Sequence, residues 1–332
     1  DLVSEVVEQV PHLSGGVAAV DELMLSPSLG PSWVAVNRLL AAGVAVHRRL
    51  SDGAFLLRAD PQAVTVLREL AEEWGVESTP SDTLAVGHPP LRLPRVAIYA
   101  GHVPIMDEGW TRWLLDRYEM PYQTVGNAEV ADGLVGKYDV VILADAAPEV
   151  LDKGHSPDYG DGESIVPPEY RGGLGEAGAA ALVDFARSGG TIMAFNRAAS
   201  YAASRLGLPV ENAVEGLAKQ RFFGPGTLVN VEADLSHPLC VGMREREAAW
   251  FQSGPVFRVR RQFAAEVREA LRFPGRNVLA SGWLLGEGHL ANRAAVLDVP
   301  FGAGRVILFG IRPQYRGQSN ATFKMVFNGL YL

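Results

Sequence analysis

The chain reads as an α/β protein: a doubly wound, mostly parallel sheet with antiparallel C-terminal additions, preceded by a small N-terminal α/β unit. Three features predict this. Between Arg95 and Leu206, apolar strand-like runs alternate with amphipathic helical stretches, as in a parallel sheet with helices on both faces. One run, Asp139 to Leu143, is continuous in Val, Ile and Leu, as a strand buried on both faces would be. After Thr227 the helices give way to short strands separated by turns.

Residues 1–30 lack a clear period and carry turn signals at Pro11, Gly15-Gly16, Pro27 and Gly30; Val6-Val7 and Val17 to Val20 are the only short strands suggested there. From Ser32 a helix is expected, with Trp33, Val36, Leu39 and Leu40 on one face and Gly43 as its C-terminal stop. Val44 to Arg48 and Ala54 to Leu57 read as a strand pair joined across Asp52-Gly53. Pro61 opens a second helix that ends before Gly75. The Pro-rich stretch Gly87 to Pro94 is expected to continue neither helix nor sheet and to act as a linker, dividing the chain at 1–90 and 91–332.

Beyond the linker the expected strands are Arg95 to Ala100, Tyr122 to Val125, Asp139 to Leu143 and Thr191 to Phe195. The expected helices are Glu108 to Tyr118, Glu176 to Arg187 and Ala198 to Leu206. Thr227 to Glu232, Ala249 to Phe257, Val278 to Trp283, Ala294 to Val299 and Arg305 to Ile311 follow as strands, the last two joined by a hairpin at Phe301 to Gly304. Ala321 to Leu330 closes the chain as a helix.

Composition narrows the function classes. The 332 residues are 48% hydrophobic and 20% charged, enough for two domains and incompatible with wholesale disorder. A formal charge of −8 argues against nucleic acid as a partner. The single cysteine, Cys240, excludes both an intrachain disulfide and a Cys-based zinc site, and no apolar run is long enough to span a membrane. With no start methionine, Asp1 is expected to be a cut end.

In an open parallel sheet, ligands sit beyond the carboxyl ends of the strands. Gly101 to Glu108, Ala144-Asp145 and Asn196-Arg197 occupy those ends here. Asp145 is the best polar candidate, either as a plain turn residue or as a carboxylate facing a ligand. Gly173 to Gly178 spells G-x-G-x-x-G, but Pro167 to Arg171 before it is no strand, so a dinucleotide cofactor is not expected. No histidine has a Glu three positions on, and His155 with Asp158 lies in a Gly/Pro/Asp-rich loop, so no metal ligand is assigned. Cys240, away from any strand-to-helix elbow, reads as a packed thiol.

Several motifs carry a resemblance. These are Met106 to Arg112, Pro168 to Gly175, Ser281 to Gly286, Gly304 to Gly310, and Val34 to Gly43. Together they resemble the C-terminal, non-peptidase region of bacterial zinc carboxypeptidase-family proteins, which are carboxypeptidase A-like metallopeptidases. Within it, Arg95 to Leu332 resembles the class I glutamine amidotransferase-like fold, a flavodoxin-like arrangement. The resemblance implies that this segment is a non-catalytic accessory module. Its partner would be an upstream peptidase domain of the same polypeptide, zinc would be bound only there, and the parent would be secreted or periplasmic.

Active amidotransferases carry a cysteine on the elbow, in Gly-x-Cys-x-Gly, and a His-Pro-Glu after the last strand. Here Ala194-Phe195-Asn196-Arg197-Ala198 and Ile311-Arg312-Pro313-Gln314 stand in those places. The resemblance therefore puts Asn196 at the nucleophile position, Arg312 at the base and Gln314 at the orienter. An amide cannot replace a thiolate and a guanidinium cannot accept a proton, so no glutaminase mechanism is expected and no residue is assigned as catalytic. The candidate ligand crevice comprises Asp107, Glu108, Asp145, Asn196, Arg312 and Gln314, with Asp145 expected at its rim. A free Arg312 fork would make it a site for an anion; an Arg312 held by a carboxylate would make the pair structural. The alternative reading is a self-contained domain binding a peptide, sugar or carboxylate, or a hydrolase, that uses the same crevice.

Overall fold

The structure is a computed structural model that describes residues 15–83, 85, 87–154, 167 and 171–332. The chain divides into two units, Asp1–Arg92 and Leu93–Leu332.

In the first unit the order is β1 (Glu22–Leu25), α1 (Gly30–Ala41), β2 (Val46–Arg48), β3 (Phe55–Arg58), α2 (Pro61–Trp74) and β4 (Thr79–Pro80). The strands form an antiparallel sheet in the order β2-β3-β1-β4, the split β-α-β arrangement of ferredoxin-like units. Local chemistry sets α2: the Asp60 side chain accepts from the Ala63 N–H at 2.8 Å, Pro61 opens the first turn, and Gly75 closes the helix at φ 66°. Leu23, Leu25, Val46, Phe55 and Leu57 share one face of the sheet, and Trp33 of α1 meets the Phe55 ring edge-on at 5.0 Å.

Two expectations are corrected in this unit. Val17 to Val20 is not a strand; the strand is Glu22–Leu25, whose alternation runs for only four residues. The stretch expected to be a free linker is instead paired to the sheet. The Arg48 N–H donates to Pro89 O at 2.9 Å and the Leu91 N–H to Val46 O at 2.8 Å, while His47 Nδ1 donates to His88 O at 2.8 Å. Prolines are compatible with this edge because only alternate residues face β2, and the N–H that Pro90 lacks falls on the outward side. Val6-Val7 lies outside the described residues.

The second unit begins with β5 (Val96–Tyr99), α3 (Met106–Arg117), β6 (Tyr122–Val125), α4 (Asn127–Ala131), β7 (Val140–Leu143), α5 (Pro148–Lys153), α6 (Gly175–Arg187), β8 (Thr191–Phe195) and α7 (Arg197–Arg205). It continues through β9 (Val210–Asn212), β10 (Thr227–Ala233), β11 (Arg246–Phe251), β12 (Phe257–Val259), β13 (Arg268–Arg272) and β14 (Leu279–Ser281). It ends with β15 (Ala294–Phe301), β16 (Gly304–Phe309) and α8 (Asn320–Leu330). Five strands are parallel and stand in the order β6-β5-β7-β8-β16, which in chain order is the 2-1-3-4-5 of flavodoxin-like sheets. From β16 the sheet turns antiparallel through β15, β13, β10 and β11.

Helices cover both faces of the parallel part. Val130 of α4, Leu182 and Phe185 of α6 and Ala198 and Ala202 of α7 pack with Ala97, Val141, Ile192 and Val306. On the other face Gly329 of α8 lies directly against Met193 and Ile307, and Tyr118 at the end of α3 meets Phe327 at 4.7 Å. A Cβ at Gly329 would meet the flexible end of the Met193 side chain, which would have to shift to admit it.

The strand expected across Ala249 to Phe257 is broken. β11 ends at Phe251 and β12 starts at Phe257, because Ser253 (φ 53°), Gly254 and Pro255 turn the chain between them. Gly254 sits with its Cα against Gly310 O and the Asn196 side chain, an approach that admits no side chain. That break brings the loop onto the carboxyl edge of the parallel sheet.

The pairing of the Pro-rich stretch is measurable. Amide hydrogen exchange should show the Arg48 and Leu91 N–H groups protected, since both are donated across the β2 edge. Exchange of the Leu91 amide at the rate of an unstructured peptide would show that the stretch is free.

Candidate functional site

Three loops converge at the carboxyl edge of the parallel strands. The loop after β5 leads into α3 and its buried Asp107; the turn after β7 carries Asp145; the residue between β8 and α7 is Asn196. The segment after β16 adds Arg312. Because β5 and β7 are neighbours whose connections leave in opposite directions, this is the switch point where a doubly wound sheet opens a crevice.

Asn196 makes a sharp strand-to-helix elbow, with φ 52° and ψ −120°. This conformation is sparsely populated and costs on the order of 1–3 kcal/mol, so surrounding bonds must hold it. Its N–H donates to Phe309 O at 2.7 Å, tying the elbow to the end of β16. Its amide Nδ2 donates to Asp145 Oδ1 at 3.0 Å and to Gln252 O at 2.9 Å. The side chain is fully buried and both amide protons are used.

Asp145 is the hub. Oδ1 accepts from Asn196 Nδ2, from the Arg197 N–H at 3.1 Å and from Arg197 Nε at 2.8 Å; Oδ2 accepts from Arg197 Nη2 at 3.0 Å and lies 2.5 Å from Arg312 Nη2. A carboxylate offers about four lone-pair sites, so Asp145 has no acceptor left for a ligand. Burial pushes its pKa upward, but the Arg197 and Arg312 guanidiniums and the Asn196 amide outweigh burial and hold it below the usual carboxylate range. The expected rim position is thus corrected: Asp145 is 2% exposed and central, because the β8–α7 elbow and the segment after β16 both aim donors at it.

Asp107 is placed differently. Its Oδ2 lies 3.3 Å from Arg312 Nε, yet neither carboxylate oxygen has a hydrogen-bond partner among the described residues. Burial raises its pKa to about 6, opposed by Arg312 and reinforced by the Asp145 charge. Two carboxylates and two guanidiniums balance the cluster in charge. Arg312 also passes over the Tyr315 ring, which stacks on Trp250 at 4.3 Å, and its N–H donates to Trp250 O at 3.0 Å.

The structure thus gathers Asp107, Asp145, Asn196 and Arg312 into one buried network. Gln314 lies beside it but turns to α3, where Nε2 donates to Thr111 Oγ1 at 2.9 Å and to Asp107 O at 3.3 Å. Glu108 faces away and pairs with Arg112, at 2.8 Å, along its own helix. Arg197, the strongest partner of Asp145, stood at a strand end in the sequence but no spacing marked it. The Gln252 carbonyl and the Trp250–Tyr315 stack had no sequence signal, since both depend on the break after β11. In place of an open crevice there is a closed ion network: Arg312 is 8% exposed and only Arg197, at 40%, reaches solvent substantially.

Other sequence candidates fall elsewhere. Cys240 is buried, its Sγ donates to Ala270 O at 3.2 Å, and burial pushes its pKa up to about 12, which leaves it a thiol. Gly175 opens α6, and Arg171 to Gly173 before it form no strand. His155, Asp158 and Pro168 to Tyr170 lie outside the described residues. Among the described residues no group of three or more His, Cys, Asp or Glu side chains is arranged to hold a metal ion, and no helix is long and apolar enough to cross a membrane.

No family model matches the chain. No curated protein matches it either. Among solved structures it is similar to a ThuA-like protein from Bacteroides uniformis, at 12% identity over 71% of this chain and 90% of that one, with a TM-score of 0.40. It is similar to a glutamine amidotransferase from Thermotoga maritima at 11% identity, over 67% and 77% of the two chains, with a TM-score of 0.42. A β-galactosidase from Bacillus circulans is similar at 10% identity over 72% of this chain and 31% of its own, with a TM-score of 0.42. No activity follows from likenesses this distant.

The Asp107 carboxyl gives the network a pH signature. Its native pKa of about 6 exceeds the unfolded value of about 3.9, so the native state binds the extra proton between them. The stability this contributes is full below about pH 3.9 and is lost as pH rises through about 6. Asp107→Asn abolishes that titration. Denaturant melts should therefore show the variant gaining about 1–1.5 kcal/mol on wild type between pH 5 and pH 7.5; parallel profiles for the two proteins would place the titration elsewhere.

Proposed function

We propose that Leu93–Leu332 is a non-catalytic module that acts by support or docking, and that its switch-point cluster is a structural plug rather than a reaction centre. One observation carries this reading: Asp145, at the centre of the switch point, is saturated by Asn196, Arg197 and Arg312, so that carboxylate has no acceptor left for a substrate. At the elbow stands an amide with both protons donated, where amidotransferase-like enzymes need a thiolate. After the last parallel strand stands a guanidinium fixed between two carboxylates, where they need a base. The charge-neutral closure of the cluster supports a structural role over an anion site, which would need a free fork.

The finer proposal is that this module accompanies a zinc carboxypeptidase-like peptidase domain encoded upstream in the same polypeptide. The motifs at Met106 to Arg112, Ser281 to Gly286 and Gly304 to Gly310 support it. Zinc and the catalytic carboxylate would belong to that domain. The upstream reading frame tests this directly: it should encode a His-x-x-Glu zinc motif, and a start codon immediately before Asp1 would refute it.

The plug has a stability test of its own. Arg312→Ala leaves two buried carboxylates facing each other, and breaking a buried pair of this kind costs about 3–5 kcal/mol. Chemical denaturation should read that loss, while glutamine-dependent ammonia release stays at background in wild type and variant alike. An Arg312→Ala protein of unchanged stability that loses affinity for a carboxylate ligand would make the site a binding site instead.

A further inference from the structure

The antiparallel side of the second unit presents an exposed aromatic surface. Trp283, 56% exposed, follows β14 and meets the Phe223 ring edge-on at 5.5 Å. The loop that carries it is fixed. The Phe223 N–H donates to Leu285 O at 3.1 Å and the Leu285 N–H to Phe223 O at 3.0 Å. Gly286, at φ 79°, lies so close to Arg221 O that a Cβ there would clash. Leu228 and Leu285 add exposed aliphatic surface beside the rings. A tryptophan held this way presents large apolar area at little entropic cost on binding, the profile of an interface anchor.

The charge around the anchor is distinctive. Residues 216–231 and 270–286 contain no Asp or Glu, although Glu215, Glu232, Glu269 and Glu287 bound them, and Glu287 is turned inward to accept from the Val278 N–H at 2.7 Å. Lys219 lies over the Phe223 ring at 5.9 Å, and Lys219 and Arg221 have no carboxylate partner among the described residues. Two exposed cations without a carboxylate partner among the described residues thus stand beside the aromatic pair.

We propose that this face docks an acidic peptide segment of a partner protein, an apolar side chain packing on Trp283 and Phe223 while flanking carboxylates meet Lys219 and Arg221. The proposal rests on the reading that the unit acts by docking. The observations favour a peptide over an anionic bilayer or polynucleotide, because the −8 charge of the whole chain opposes any extended anionic surface while a short segment need meet only Lys219 and Arg221.

The probe is a fluorescein-labelled hexapeptide, Glu-Glu-Leu-Phe-Glu-Glu, followed by fluorescence anisotropy at low salt, with Lys-Lys-Leu-Phe-Lys-Lys as its charge-inverted control. The acidic peptide should bind, with affinity falling as salt rises. Trp283→Ala should weaken it by about tenfold or more, and the double variant Lys219→Glu, Arg221→Glu similarly. Both changes are on exposed side chains, and unchanged thermal melts confirm the fold. The proposal is overturned if the acidic peptide does not bind, if Trp283→Ala binds it as wild type does, or if the control binds equally. Sedimentation with phosphatidylserine-containing vesicles that depends on Trp283 would also overturn it, in favour of a membrane. Failure of peptide binding leaves the Arg312→Ala result untouched, whereas glutamine hydrolysis would overturn the non-catalytic reading and leave the peptide result standing.

Discussion

The contact between the Asp145 carboxylate and the guanidiniums of Arg197 and Arg312 fixes the carboxyl edge of the parallel sheet. Asp145 follows β7, Arg197 opens α7 after β8, and Arg312 follows β16, so one carboxylate ties together three loops that leave three adjacent strands. Such a cluster is a poor source of net stability, since desolvating four charges offsets most of their attraction. Its strength lies in what happens when one member is missing. Without Arg312, Asp107 is buried with no cation against it and Asp145 keeps only Arg197 and Asn196.

The elbow depends on the same contact. Asn196 occupies a backbone conformation that few residues adopt, and it is held by its N–H to Phe309, by its amide to Gln252 and by Asp145. Asparagine is among the residues best able to take a positive φ, because its side chain can bond locally. Gly254 completes the fit, since its lack of a side chain lets the segment after β11 close over the amide. The strained elbow is enclosed, its backbone N–H and both side-chain amide protons donated while Oδ1 accepts no hydrogen bond among the described residues.

Much of this was legible before the structure, for physical reasons particular to each element. β7 and β8 are continuous apolar runs, α2 is bounded by Asp60-Pro61 and Gly75, and the β15–β16 turn carries Gly302, so periodicity and turn chemistry point the same way. Strand ends in a parallel sheet converge by geometry, which is why Asp145 and Asn196 could be grouped from the sequence, whereas Arg312 joined them only through the resemblance to the amidotransferase-like fold. β13, with sequence Arg-Glu-Ala-Leu-Arg, had no strand signature, because its pairing to β10 and β15 supplies what its composition does not. Arg197 was illegible as a partner because an arginine at a helix start reads as surface. Glu108 and Asp107 are adjacent in sequence yet face opposite ways, which only the register of α3 on the sheet decides. The Pro-rich stretch misled for a related reason: prolines forbid a central strand but not an edge where the missing N–H faces outward.

The two carboxylates of the cluster differ in what surrounds them. Asp107 and Asp145 flank the same guanidinium, but Asp145 collects donors from two further residues and stays ionised, while Asp107 has none and is pushed toward neutrality near pH 6. In an active site, a pair of acids split in this way would suggest acid–base roles. In this cluster the split follows from hydrogen bonding. Asp145 is bonded by everything the three loops can offer, and Asp107 is the carboxylate left over, sharing Arg312 without a hydrogen bond of its own. A perturbed pKa in a crevice marks chemistry only when some polar capacity remains for a substrate. At Asp145 none remains, while at Asp107 both carboxylate oxygens are buried without a hydrogen-bond partner among the described residues.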